Sequence, residues 1–231
     1  MELIFQEDNL LIKTLSAPEE MDAAYRLRHD VFVDELKWVP PSPDKREIDD
    51  YDKFAIPIGL FDLSAQTGKE LPLIGYVRLI QSNYPFMVEK EFACLLPKDK
   101  PLKKLPDMVE STRICIKKER RADKVGSLGL TTGHLLYKAI YNWGIIHNSR
   151  YLVTIVEKRY YRHLKNFLPF KPLGEFLAMG DGVLTGIVLF DWRDRASIEK
   201  KPDFMEWMTT IQVPLPVHAH APSGLPLHAS Y

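Results

Sequence analysis

At 231 residues the chain is long enough for one large α/β or α+β domain and too short for a comfortable second one. Lys+Arg and Asp+Glu each total 31, so the formal net charge of zero supplies no global field for nucleic acid or an anionic membrane. Two cysteines, Cys94 and Cys115, are too few for a disulfide framework and lack metal-ligand spacing. The N-terminus has no basic region followed by an apolar run, and no stretch approaches the length of a membrane-spanning helix. The expectation is a cytoplasmic protein with no membrane insertion, no nucleic acid partner and no metal.

Residues 10–15 read as a short strand. Ser16 then caps a helix with Pro18 in its first turn, and Glu19 and Glu20 sit favourably at the positive end of its dipole. Apolar residues at Met21, Ala24, Tyr25, Leu27, Val31 and Leu36 predict one helical face as far as about Leu36, before Pro40, Pro41 and Pro43 forbid continuation. A loop to Asp52 follows. The β-formers of 54–63 and 73–81, separated by a polar connector with glycine, predict an antiparallel hairpin. Residues 86–96 read as a short helix or irregular cover, and 108–116 as a strand carrying Glu110 and Arg113 in an otherwise apolar run.

A basic cluster (Lys117, Lys118, Arg120, Arg121, Lys124) precedes a helix predicted over 127–147. Beyond it come a buried-type strand at 151–156, a helix at 158–167, and strands at 171–178 and 182–190 around a Met-Gly-Asp-Gly turn. Residues 202–212 fit a last amphipathic helix. The expected fold is α/β (α+β), a single mixed, mostly antiparallel sheet flanked by helices. Residues 1–212 form the domain, and 213–231, with four prolines and three histidines, read as a mobile tail.

The residues that carry chemistry lie in the first half. Arg28, Phe32 and Trp38 share one element, and Glu47, Asp49, Asp50 and Asp52 follow the proline-broken loop. Gly75-Tyr76-Val77-Arg78-Leu79 and Glu110-Ser111-Thr112-Arg113 lie on strands. This pattern, over roughly residues 20–116, resembles the acyl-homoserine-lactone (autoinducer) synthase family, which has an acetyltransferase-like (GNAT) acyltransferase fold.

The resemblance implies transfer of a fatty acyl group from an acyl carrier protein thioester, or from CoA, to the α-amino group of S-adenosylmethionine. Lactonisation then releases methylthioadenosine, and both substrates bind without a separate cofactor. It further implies Glu110, Arg113, Asp49 and Asp52 as catalytic positions, and Arg28, Phe32, Trp38 and Arg78 as substrate-binding ones. Departures from the family are the three prolines after Trp38 and the absence of an aromatic residue after Arg113. A related set of acyltransferases makes N-acyl amino acids on the same scaffold.

The residues alone are compatible with that chemistry. An α-amino group has a pKa of roughly 7.7–8.0, so a carboxylate such as Glu110, acting directly or through water, has a modest task as base. Arg113, three residues on, projects to the opposite face of a regular strand, and a bulge would re-aim one of the two. Amides freed at such a bulge would suit a tetrahedral oxyanion. The bland reading stands beside this one: the arginines and acids form an ion network clamping the helix to the sheet. Phe32 and Trp38 are then core, and the fold is a silent acyl-binding or carrier-protein-binding module.

Overall fold

The computed structural model describes residues 2–67, 71–180, 182–194 and 202–211. The expected tail from 213 lies outside the described residues. The chain opens with β1 (Ile4–Glu7) and β2 (Leu10–Thr14), a hairpin whose turn places Asp8 at φ 50°. β1 was not expected from the sequence. Phe5 within it and Leu3 just before it are buried, but four residues are too short to show an alternation.

Helix α1 (Pro18–Arg28) is followed without interruption by a π-helical turn, His29–Glu35, rather than by further α-helix to Leu36. There the Leu36 N–H donates to the Val31 carbonyl, five residues back. Val31, Phe32 and Val33 are all buried. Successive residues of an α-helix differ by about 100°, so three in a row exceed a single face; Asp30, Asp34 and Glu35 on the rest of the turn are exposed.

The hairpin is present as β3 (Ile56–Asp62) and β4 (Leu73–Gln81), followed by β5 (Met108–Ile116). Gly126 at φ 61° and Gly129 at φ 67° take left-handed backbone that only glycine adopts freely. They make a small hairpin of β6 (Lys124–Val125) and β7 (Leu130–Thr131), so the helix expected from 127 begins later, as α2 (Thr132–Ile146). β8 (Tyr151–Glu157) and α3 (Lys158–Leu164) follow. The strand expected at 171–178 is instead two short pieces, β9 (Lys171–Pro172) and β10 (Leu177–Ala178), both paired to β11 (Leu184–Asp191). Helix α4 (Pro202–Thr209) packs on α2, where the Asn142 amide donates to the Met208 carbonyl at 2.8 Å.

The main sheet runs in the order β1-β2-β3-β4-β5-β8-β11-β10 and is antiparallel except for β5 with β8. This is the expected mixed, mostly antiparallel α/β sheet with an acetyltransferase-like plan. Alternation along β4 divides two layers. Val77 and Leu79 join the cluster under α2 with Leu135, Ile140 and Trp143, while Tyr76 joins Ala24, Leu27 and Phe32 under α1. Two irregularities follow from the pairing. Between Tyr76 and Arg78 the register on β5 jumps from Cys115 to Thr112, so Arg113 and Ile114 oppose one residue, and Arg113 sits at φ 53°. The β5–β8 pairing stops at Ser111–Thr154, although β5 continues to Ile116 and β8 to Glu157. The two parallel strands therefore fork at their C-terminal ends. Among the described residues no helix is long and apolar enough to cross a membrane.

Candidate active site

Cross-strand register assembles the site. Arg78 pairs with Thr112 and Ile80 with Glu110, so Arg78, Thr112 and Glu110 share the α1 face of the sheet. A regular strand would turn Arg113 away. The bulge returns it to the same face, where its guanidinium reaches Glu47 and Asp49. The acid-rich segment is shaped locally: Asp49 accepts from the Tyr51 N–H at 2.9 Å, and Asp52 accepts from the Asp49 N–H at 2.9 Å. This reciprocal capping of the short 3₁₀ turn Asp50–Lys53 aims both carboxylates inward.

Three guanidinium groups and three carboxylates meet there. Arg28 donates to Glu47 Oε2 at 2.5 Å and to both oxygens of Asp52 at 2.7 and 3.1 Å. Arg78 donates to both oxygens of Asp49, to Asp52 Oδ1 at 3.0 Å, and through Nε to Thr112 Oγ1 at 2.9 Å. Arg113 donates to Glu47 Oε1 at 2.9 Å and to Asp49 Oδ2 at 3.0 Å. Charges balance within the cluster, which is what lets Arg28 and Arg78 sit fully buried. Burial alone would raise the Asp49 carboxyl; the Arg78 hydrogen bonds and the surrounding arginines outweigh it and hold the group below its ordinary value. Burial alone would lower Arg28 and Arg78, and their carboxylate partners instead raise both.

The cluster is graded in exposure. Arg28, Arg78 and Glu47 are sealed, while the side chains of Arg113 and Asp49 retain 17% and 23% of their surface. Phe32 lies under Arg113 at 5.5 Å and stacks on Trp38 at 6.1 Å, and Trp38 is 49% exposed. The rim open to a ligand is thus Arg113, Asp49 and Trp38. Arg28, Arg78 and Phe32 buttress it.

Glu110 lies on the other side of Arg78, joined through one loop. Its carboxylate accepts from the Met87 and Val88 N–H groups at 2.7 and 2.9 Å, and the Met87 sulfur accepts from Arg78 Nη2 at 3.3 Å. The carboxyl is fully buried. Burial pushes it up to about 7, against the lowering effect of the two amides and of Arg78. A buried carboxyl that titrates near neutrality is unusual and marks candidate proton-transfer groups.

A second feature lies at the end of the sheet toward which β5 and β8 fork. Glu157, Lys158, Arg159, Arg162, Val183 and Leu184 line a shallow hollow of about 230 Å³. It is separate from the ion cluster. Lys158, Arg159 and Arg162 outnumber the one carboxylate, Glu157, so the hollow is net cationic.

Comparison with known proteins identifies the family and the fold. The sequence profile of the autoinducer synthase family matches residues 13–195. The chain belongs to the autoinducer synthase family. It is 30% identical over 161 residues to an acyl-homoserine-lactone synthase of Rhizobium radiobacter, covering 69% of this chain and 73% of that one. Its fold matches the CoA-dependent acyl-homoserine lactone synthase BjaI, solved with MTA, with a TM-score of 0.66 at 20% identity, covering 93% and 95% of the two chains. It also matches FeeM, an N-acyl amino acid synthase from uncultured soil microbes, with a TM-score of 0.59 at 16% identity, covering 85% and 99%. The protein is an acyltransferase.

In this synthase the eight positions implied by the resemblance (Arg28, Phe32, Trp38, Asp49, Asp52, Arg78, Glu110 and Arg113) fall in one connected region, while Asp50 turns outward to Lys53. Glu110 stands apart from the ion cluster proper and is linked to it by Met87. Sequence reasoning left Glu47, Thr112 and Met87 without a role. Glu47, almost sealed, bridges Arg28 and Arg113. Its signal was a count: two aspartates cannot neutralise three buried or half-buried arginines.

Proposed function

We propose that this synthase transfers an acyl group from a thioester to the α-amino group of S-adenosylmethionine and releases an acyl-homoserine lactone, a quorum-sensing signal, with methylthioadenosine. The observation that carries the reading is the graded rim of Arg113, Asp49 and Trp38 beside the near-neutral carboxyl of Glu110. A sulfonium cation on an adenosyl group is met by an aromatic face and a carboxylate, and Trp38 and Asp49 offer both. Arg113 is the most exposed guanidinium of the cluster and suits the acceptor's carboxylate. Membership of a family of acyl-homoserine-lactone synthases supports the same reading, as does a fold shared with a synthase solved with SAM and isopentyl-CoA.

The fork between β5 and β8 is the natural path for the donor. Past Ser111 and Thr154 neither strand pairs with the other, so a pantetheine arm can add to the free β5 edge by main-chain hydrogen bonds. An unpaired N–H of that edge would stabilise the oxyanion as the amine attacks the thioester. Glu110, titrating near 7, accepts the amine proton through a water, and the thiol leaves with the carrier. No enzyme nucleophile is needed for this aminolysis. The basic hollow of Lys158, Arg159 and Arg162, at the open end of the fork, suits the phosphates of CoA or the acidic surface of an acyl carrier protein.

Free thiol release from a series of acyl thioesters tests the acceptor. The reading expects release that depends on S-adenosylmethionine. Release with free amino acids, and none with S-adenosylmethionine, would replace it by N-acyl amino acid synthesis, the activity of the fold neighbour FeeM.

A further inference from the structure

The π-helical turn His29–Glu35 puts residues five apart over one another, and its outer side carries His29, Asp30 and Asp34. His29 is only 3% exposed, yet among the described residues neither ring nitrogen has a hydrogen-bond partner. Its Nδ1 lies 3.3 Å from Asp34 Oδ2, close but not aligned for a hydrogen bond. A buried imidazole without a partner is costly, and the three potential donor atoms all lie within 4.8 Å of one another. In an α-helix the offset from 29 to 34 would turn the two side chains well apart, since each residue adds about 100°. The π register is what brings them together, and such turns recur at functional sites.

We propose that His29, Asp30 and Asp34 form a divalent transition-metal site on the outer side of this turn. One imidazole nitrogen and two carboxylate oxygens suit Zn²⁺ and its neighbours and disfavour Mg²⁺ and Ca²⁺, which take all-oxygen shells. Tetrahedral ligands at about 2.1 Å from the metal stand about 3.4 Å apart. Asp30 and Asp34 are exposed and free to rotate inward to that spacing, while His29 is fixed by its burial. The remaining position faces solvent and takes water. His29 Nε2 has no second partner to orient the ring, so affinity is roughly 10–100-fold below that of a buttressed histidine site. The bound ion would tie residue 29 to residue 34 across the segment that carries Phe32. The site is independent of the reaction proposed above.

Zn²⁺ binding by the full chain is measured by competition with a chromophoric chelator, in parallel with thermal melts. Three proteins are compared: the natural sequence, an Asp30→Asn/Asp34→Asn variant, and a variant with His218, His220 and His228 changed to Gln. The proposal expects one equivalent bound to the natural chain and to the tail variant, with at least a tenfold loss in the aspartate variant. Zn²⁺ should raise the Tm of the first two only, and Mg²⁺ should not compete. Because Asp30 and Asp34 are exposed, the variant's own Tm without metal should match that of the natural chain. Absence of binding, binding unchanged by the aspartate substitutions, or binding lost only with the tail histidines would each overturn the proposal.

Discussion

Replacing Glu110 by Gln separates what this carboxyl does for stability from what it does for the reaction. In the folded protein burial raises it from the usual 4.5 to about 7, despite two backbone N–H partners. A carboxyl raised by folding stabilises the protein fully below its unfolded value, and that contribution is lost as pH climbs through the folded value. At about 1.4 kcal/mol per pH unit, the natural chain should lose about 3 kcal/mol relative to Glu110→Gln between pH 4.5 and 7. Glutamine presents one acceptor oxygen to two amides, so the variant starts at low pH with a deficit of about 1–3 kcal/mol from the unsatisfied N–H. The two proteins should therefore converge or cross near neutral pH. Urea unfolding of both from pH 4.5 to 8 gives the difference directly, with all other titrating groups cancelling. In the same variant kcat/KM should fall by about 10²–10⁴ at pH 7.5. A difference in stability that stays flat across that range would refute the burial argument, and unimpaired turnover would refute the role as base.

Other substitutions probe the rest of the site. Arg78→Met removes the bidentate partner of Asp49 and one of the two partners of Asp52, leaving three carboxylates against two guanidinium groups, and should cost about 3–5 kcal/mol in urea unfolding at pH 7. Because the arginines hold the Asp49 carboxyl below its ordinary value, its contribution is present above that value and is lost as pH falls. Asp49→Asn should therefore flatten the acid limb of the stability profile below about pH 4, read by circular dichroism. Trp38→Ala removes a half-exposed ring, so stability should change by only about 1 kcal/mol while KM for the acceptor rises and kcat is largely retained. Changing Lys158, Arg159 and Arg162 together to Ala should raise KM for the thioester about tenfold and remove most of its salt dependence, without altering KM for the acceptor.

Much of the architecture was legible in local pattern. The β-formers of 73–81 and the apolar run of 108–116 placed Arg78 and Glu110 on strands, and the three-residue offset from Glu110 to Arg113 meant that only a bulge could bring both to one face, as the register shift does. Less accessible was anything set by contacts distant in sequence. Glu47 gains its place from Arg113, sixty-six residues away, and nothing near Glu47 distinguishes it from Asp50, which ends exposed beside Lys53. Reading a 3.6-residue period through to Leu36 concealed the π turn, because Met21, Ala24 and Leu27 set the α period and the single five-residue step from Val31 to Leu36 is too short a run to announce a change of register. At 126–129 the two glycines in left-handed backbone fold a hairpin, and only their paired geometry distinguishes that from a helix start. Exposure also sorted the cluster in a way composition does not: Arg28, Arg78 and Arg113 look equivalent in the sequence, and only Arg113 reaches the rim.

The products of the reaction test the acceptor and the lactonisation most directly. The purified chain, given one acyl thioester and S-adenosylmethionine, should form acyl-homoserine lactone and methylthioadenosine in equal amounts, quantified together by mass spectrometry. An acylated product that retains the whole acceptor, with no methylthioadenosine released, would contradict the proposed reaction.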